Sequence, residues 1–369
     1  MFTRHFMKLT SSLTSILIAL CYSVAALAQE TMLYASDCLT DPNVRSICQD
    51  KYGYIWIGTR SGLNKFDGHR FTPYRHDNSH NALPSNYVTQ LHCDSHQQHW
   101  VGTREGLVRY DYATDSFIKV TFNNDPMLKP RIESLIEDTD RQMLIGTAGF
   151  GLYKIHPDSL NANRIDHYSH SDHNDYYYKL LIDSKRRFWK IDKDNVVSCF
   201  DSHNHRFLFS HRPDKGYIVG LVEIAGGDVL AVCQYGIQRI LSDGTGRPLP
   251  MATTGTEFTK CFLQSNGRLL LGTIASGLYA LDTATLQPEK IKSDILDAEI
   301  GLSNVNAIFE DRQHNFWIGC DEKGLAFISC QQSPYKRWNF MPQKVVSGSS
   351  TSGMCQGANG SSSNRCKGN

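Results

Sequence analysis

Trp56-Ile57-Gly58-Thr59, with Val44 twelve places upstream of the tryptophan and Gly62-Leu63 just downstream, is the stretch that decides the fold. The same spacing recovers Trp100-Val101-Gly102-Thr103, Leu144-Ile145-Gly146-Thr147, Trp189-Lys190-Ile191-Asp192, Leu230-Ala231-Val232-Cys233, Leu270-Leu271-Gly272-Thr273 and Trp317-Ile318-Gly319-Cys320. Successive lead residues are 44, 44, 45, 41, 40 and 47 apart, the period of a four-stranded propeller blade. The residue twelve places upstream is apolar in every copy: Val44, Val88, Ile132, Tyr177, Ile218, Phe258 and Val305. The reading is an all-β chain, a seven-bladed β-propeller of four-stranded antiparallel blades.

Each blade is legible from turn chemistry and period-two alternation. Asp50, Asp94, Asp138, Asp183 and Asp311 head the turn after the first strand, where a carboxylate accepts bonds from backbone two residues on. They read as turn formers, not catalytic acids. In the second strand the lead residues Trp56, Trp100, Leu144, Trp189, Leu230, Leu270 and Trp317 are expected to plug the gap between blades, because both faces of a blade pack on neighbours. Three places beyond each upstream apolar residue stand Ile47, Leu91, Leu135, Leu180, Leu221, Cys261 and Ile308, expected to line the inner wall. The fourth strands, such as 70–74 with Pro73, are the most polar, as suits an edge. Met32-Leu33-Tyr34-Ala35 precedes the first full repeat and is a candidate closing strand, since a propeller closes when one terminus completes the blade built from the other. Tyr335 to Phe340 is the competing last outer strand, or the opening strand of a further propeller.

Residues 1–28 read as a signal peptide: Arg4, His5 and Lys8 precede an apolar stretch around Ile16 to Leu20, and Ala26-Leu27-Ala28 offers small residues for cleavage before Gln29. The propeller is expected over 29–340 and a Ser/Gly-rich flexible tail over 341–369. No later run has the ~20 apolar residues needed to span a bilayer, so the mature chain is expected to be periplasmic. Lys and Arg number 38 against 37 Asp and Glu, with no basic run, which argues against nucleic acid as a partner. The cysteines after position 28 have neither redox-motif nor zinc-knuckle spacing, and read as small buried hydrophobes.

With these residues in hand, the repeat resembles the two-component regulator propeller repeat. Val44, Ile47, Asp50, Gly53, Trp56-Ile57-Gly58-Thr59 and Gly62-Leu63 match it almost letter for letter. The resemblance covers about 44–340 and is strongest in the first, second and seventh copies. It implies the periplasmic sensor region of a Bacteroidota hybrid two-component system, commonly a detector of oligosaccharides. Relatives of this kind continue into a second propeller, an immunoglobulin-like domain, a membrane helix and a histidine kinase. Here no such segments follow the seventh repeat, so a truncated or isolated sensor module is expected, with a second propeller or a second copy as partner.

A propeller binds guests at the mouth of its channel, where loops between second and third strands meet those entering each first strand. Arg60, Arg104, Tyr235 and Lys323 belong to the former set and Asn43, Asn86, Arg131 and Asn304 to the latter. Arginine suits carboxylates or sulfates, and asparagine and tyrosine suit sugar hydroxyls, so an acidic or sulfated sugar is the expected ligand. His167, His170 and His173 with Asp166, Asp172 and Asp175 form a polar cluster, but their spacing fits no metal site and reads as an inter-blade loop. No catalytic motif, cofactor motif or metal motif is recognisable. The expected function is therefore exported ligand sensing without catalysis; the alternatives are a propeller enzyme such as a polysaccharide lyase, or an envelope protein-binding scaffold.

Overall fold

The structure is a computed structural model that describes residues 31–34, 38–168, 176–250, 255–283, 285–286, 288–291 and 303–329. The expected signal peptide, the tail, Tyr335 to Phe340, and His170, Asp172, His173 and Asp175 all lie outside the described residues.

Seven sheets follow one another, and in each the main strands are antiparallel and consecutive in sequence except for one added strand in blade 3 and the outer strand of blade 7. Blade 1 comprises Val44–Gln49, Ile55–Thr59, Gly62–Phe66 and Phe71–Tyr74 from the inside outward. Blades 2 to 6 span residues 88–119, 132–165, 179–211, 218–248 and 258–290. Blade 3 gains a two-residue strand, Thr121–Phe122, parallel to its outer strand Asn161–Ile165. Blade 7 is built from Val305–Glu310, Phe316–Cys320 and Gly324–Ile328, and its outer position is filled by Thr31–Tyr34, antiparallel to Gly324–Ile328. The N-terminal segment thus closes the ring, in the place for which Tyr335 to Phe340 competed.

The repeat motif is explained by what each residue meets across a seam. The buried apolar residues fall into seven clusters among the described residues, and each cluster joins two adjacent blades. Every lead residue sits in the cluster shared with the following blade, and all seven are buried. The motif glycine is there for the next blade's upstream apolar residue. A methyl group added at Gly58 would lie 2.5 Å from Val88 Cγ1, at Gly102 2.7 Å from Ile132 Cγ2, and at Gly319 2.3 Å from Val44 Cγ1. The last of these closes the seam between blades 7 and 1.

The motif threonine secures the turn that follows. Thr59, Thr103 and Thr273 donate from Oγ1 to the carbonyls of Gly62, Gly106 and Gly277 at 2.8, 2.9 and 2.7 Å. Those glycines have φ of 143°, 113° and 76°, a region that disfavours any Cβ.

The turn aspartates do more than form turns. Asp50 is fully buried; its Oδ1 accepts the backbone N–H groups of Tyr52 and Tyr54, and its Oδ2 accepts the Trp56 indole N–H at 2.8 Å. The same clasp joins Asp94 to Trp100, Asp183 to Trp189 and Asp311 to Trp317 at 2.7 to 2.9 Å. Where Leu144 replaces tryptophan, Asp138 pairs instead with Lys154 Nζ at 2.7 Å. Blade 4 tolerates Lys190 in mid-strand by laying its ammonium 4.5 Å from the Tyr177 ring centroid.

Candidate functional site

The first strands surround the channel, and six of the seven carry a register shift at one place, between the upstream apolar residue and the residue two positions on. A bulge re-aims a side chain out of the sheet's alternation. The residues at that step are Arg45, Thr89, Glu133, Val219, Thr259 and Asn306, and all six line one cavity of about 270 Å³. Blade 4 has no register shift, and contributes Lys179 to the same cavity. All seven blades therefore converge on it, with Tyr87, Arg131 and Lys260 completing the polar wall.

The cavity is strongly cationic. Arg45, Arg131, Lys179 and Lys260 face a single carboxylate, that of Glu133. Arg131 Nε stands 2.7 Å from Glu133 Oε1. The guanidiniums of Arg104, Arg45 and Arg131 lie 5.0, 6.0 and 6.0 Å from the Tyr87 ring centroid, so one exposed-edge aromatic collects three arginines. Crowding of like charge in a protein-lined cavity shows in the ionisation behaviour. Burial, reinforced by the charges of Lys179 and Arg45, pulls Lys260 down to about 8. Burial also lowers Lys179, against the pull of Glu133. Burial raises Glu133, against Arg131, Lys179 and Arg45. Such a site stabilises an anion that restores the missing negative charge.

A pH dependence follows. Lys260 titrates lower in the native chain than in the unfolded one, so between about 8 and 10.5 the unfolded state binds more protons and native stability from this group rises with pH. Lys260→Met is expected to stabilise the ligand-free protein at pH 7 by about 1–2 kcal/mol, with the gain shrinking above pH 9 in thermal melts. An anion bound in the cavity would dissociate more readily as pH passes from 7 to 9 in the parent chain, and would lose that dependence in the variant.

The eight sequence-selected mouth residues separate into groups. Arg131 lines the cavity, and Arg104 joins it at Tyr87. Arg60 reaches across the closing seam to Asp321, 3.8 Å away, whose Oδ1 also accepts a bond from Asn306 Nδ2. Asn43 and Asn86 are engaged in their own loops, the first donating to Asp41 and the second accepting from the His76 backbone N–H. Tyr235, Lys323 and Asn304 are not among the residues lining the cavity. Sequence reading missed Arg45, Tyr87, Glu133, Lys179, Lys260 and Asn306. For Arg45, Glu133 and Asn306 the available signal was their place directly after the upstream apolar residue, disguised by the assumption of unbroken alternation.

The expected inner wall needs a corresponding correction. Ile47, Leu91, Leu135, Leu180 and Ile308 are buried in the seams between blades. Leu180, Leu221 and Cys261 also border a second, more apolar cavity of about 470 Å³ that shares Lys179, Val219 and Lys260 with the cationic one. A larger cleft of about 680 Å³, lined by Lys51, Tyr52, His96, Arg109 and Tyr112 among others, belongs to blades 1 and 2 with Asp158 of blade 3, and lacks the convergence of all seven blades.

The two-component regulator propeller family matches at residues 38–61 and 300–322, the first and seventh copies of the repeat. At these two places the chain carries the two-component regulator propeller repeat. Over 41 residues, 11% of this propeller protein and 3% of its relative, it is 56% identical to Histidine kinase P4 of Formosa agariphila. Among solved structures the chain is similar to one described as the extracellular domain of a putative hybrid two component system, BT3049, from B. thetaiotaomicron. The TM-score is 0.69 at 19% identity, over 82% of this chain and 42% of that one. It is also similar to virginiamycin B lyase from Staphylococcus aureus, with a TM-score of 0.62 at 13% identity, over 82% of this chain and 99% of that one. This propeller thus spans less than half the length of the first and nearly all of the second, and shares the fold with both. Among the described residues, no helix is long and apolar enough to cross a membrane.

Proposed function

We propose that the chain is an exported ligand-sensing module of a two-component signalling system, and that it takes an anionic oligosaccharide, a uronate or sulfated sugar, in the cationic channel cavity. The family match and the identity with a histidine kinase over 41 residues support the signalling role. The observation that carries the ligand class is the convergence of seven blades on a cavity with four cations and one carboxylate, floored by the Tyr87 ring. Guanidiniums recognise carboxylates and sulfates with paired N–H donors, and an aromatic face receives the apolar face of a sugar ring.

Calorimetry of the full chain against neutral, uronate and sulfated oligosaccharides of matched length tests this. Binding is expected for the charged series, weakening with salt as screening requires, and falling roughly tenfold or more in Arg131→Ala and in Lys179→Met, the loss of one charge-assisted contact. Equal binding of neutral sugars, or binding indifferent to both substitutions, would sink the assignment. Chromatography of the same mixtures reports whether any oligosaccharide is cleaved; turnover would move the chain to the enzyme class.

A further inference from the structure

The seam between blades 1 and 2 departs from the others at three positions. In most other seams, the last residue of the inner strand is clamped by the preceding blade's turn. Ser95 donates its backbone N–H and hydroxyl to Glu137 at 2.9 and 2.7 Å, Ser184 does so to Glu223, and Ser265 to Glu310. At the closing seam the Arg312 backbone N–H donates to Gln49 Oε1 at 2.9 Å. In blade 2 the clamped position is Cys93. The residue one step earlier in blade 1 is Cys48, where blades 3 to 7 carry Ile136, Leu181, Val222, Phe262 and Phe309. The residue before the lead tryptophan is His99, where the other blades carry Ile55, Met143, Phe188, Val229, Leu269 and Phe316. Three positions that are elsewhere apolar or acidic, apart from Gln49 and His92, are two thiols and an imidazole at this one seam.

Those three side chains converge. Cys48 Sγ is 3.7 Å from Cys93 Sγ, and His99 Nδ1 is 3.6 and 3.3 Å from the two sulfurs. Zinc binds thiolate sulfur at about 2.3 Å and imidazole nitrogen at about 2.0–2.1 Å, so the edges of a tetrahedral site are about 3.8 Å between sulfurs and about 3.6 Å from sulfur to nitrogen. The triangle's edges of 3.7, 3.6 and 3.3 Å come within about 0.3 Å of those dimensions. His99 is fully buried, its Nε2 has no hydrogen-bond partner, and the contacts of Nδ1 are the two sulfurs, which are weak partners for a buried polar ring. Its ring packs on Trp56, with centroids 4.5 Å apart. Cys93 is partly exposed, which leaves a way in from solvent.

We propose that Cys48, Cys93 and His99 form a Cys₂His site for one zinc-class divalent cation, pinning blade 1 to blade 2. The ion replaces the serine–glutamate clamp that this seam lacks. Two thiols lose their protons to solvent on binding, His99 coordinates through Nδ1 as the neutral ring, and the fourth position is left to water. The site is separate from the channel cavity, with which it shares no residue.

The test uses the full chain, isolated without added metal, then reduced and stripped with chelator. Cobalt(II) titration of this protein is expected to give a thiolate-to-cobalt charge-transfer band and tetrahedral d–d bands saturating at one ion per chain, with zinc displacing cobalt stoichiometrically. Zinc is expected to raise the melting temperature of the parent chain and not that of Cys93→Ser or His99→Ala, in which affinity falls roughly 100-fold or more. Cys199→Ser, at a buried cysteine of blade 4, keeps the cobalt spectrum. Absence of the charge-transfer band in the parent chain overturns the proposal without reliance on any variant. So does unchanged uptake in Cys93→Ser, or peptide mapping of the protein as isolated that finds Cys48 and Cys93 joined as a disulfide with no metal retained.

Discussion

Gly319→Ala is expected to open the ring. The added methyl would sit 2.3 Å from Val44 Cγ1 and 2.7 Å from Val44 Cβ, and it meets Ala307 Cβ at 3.1 Å on the other side. Neither neighbour is the far end of a flexible side chain, so blade 7 must move off blade 1. Overpacking a tight core costs about 1–3 kcal/mol, and this contact belongs near the top of that range because Val44 Cβ and Ala307 Cβ are fixed to backbone and leave the methyl little room. The same seam holds Trp317, Leu325, Ile47 and Ile57, and the Arg312-to-Gln49 bond, so a shift there loosens several contacts together. Val44→Ala in the same chain removes Cγ1, the nearest of the clashing atoms, and leaves only Cβ to be accommodated. The double variant is therefore expected to recover a large part of the loss in urea unfolding, with a coupling energy of about 1 kcal/mol or more. Strict additivity of the two single changes would show that the glycine is not kept for that valine.

Removing the carboxylate from an aspartate–tryptophan clasp is the other change with a large expected effect. Asp50→Ala leaves the Trp56 indole N–H and the Tyr52 and Tyr54 backbone N–H groups without their acceptor at one stroke. The indole is fully buried, stacked on Tyr74 at 5.6 Å and edge-on to Tyr110 at 4.7 Å. A buried unsatisfied donor costs about 1–3 kcal/mol, and the turn loses its organising side chain as well, so about 3–4 kcal/mol is expected. Trp56→Ala should cost as much or more, about 3–5 kcal/mol, through lost burial and the void between blades. In a double-mutant cycle Asp50→Ala is expected to cost markedly less once Trp56 is gone. An equal cost in both backgrounds would mean that the aspartate acts on the turn alone.

These two results bear on how the motif encodes the fold. Valine, aspartate, tryptophan, glycine and threonine recur because each makes one contact that every seam or turn needs: Val44 against Gly319, Asp50 on the Trp56 indole, Thr59 on the Gly62 carbonyl. Contacts of this kind are local or repeat at one period, so they were readable from spacing. The closing strand was readable too, because Met32 to Tyr34 is an apolar segment lying outside any complete repeat, and the pairing of Thr31–Tyr34 with Gly324–Ile328 uses it.

The candidate site was less legible for a physical reason. Its members are the residues at which the repeat does not repeat: Arg45, Glu133 and Asn306 at the bulge, and Lys179 where the bulge is missing. Alternation assigns them to a face, and only the register shift turns them toward the channel. Loop position alone favoured Asn43 and Asn86, whose side chains are held within their loops. The Cys48, Cys93 and His99 triangle was equally hidden, since 45 residues separate the two cysteines and no local spacing announces them.

By itself, then, the order of residues determined the number of blades, the seam contacts and the identity of the plugs, because those obey a period of about 44 that any single blade satisfies locally. Only the closed ring decided which side chains share the channel and which seam holds two thiols beside an imidazole. Both depend on bringing together positions from different repeats, and that proximity exists only after the first and last blades have met.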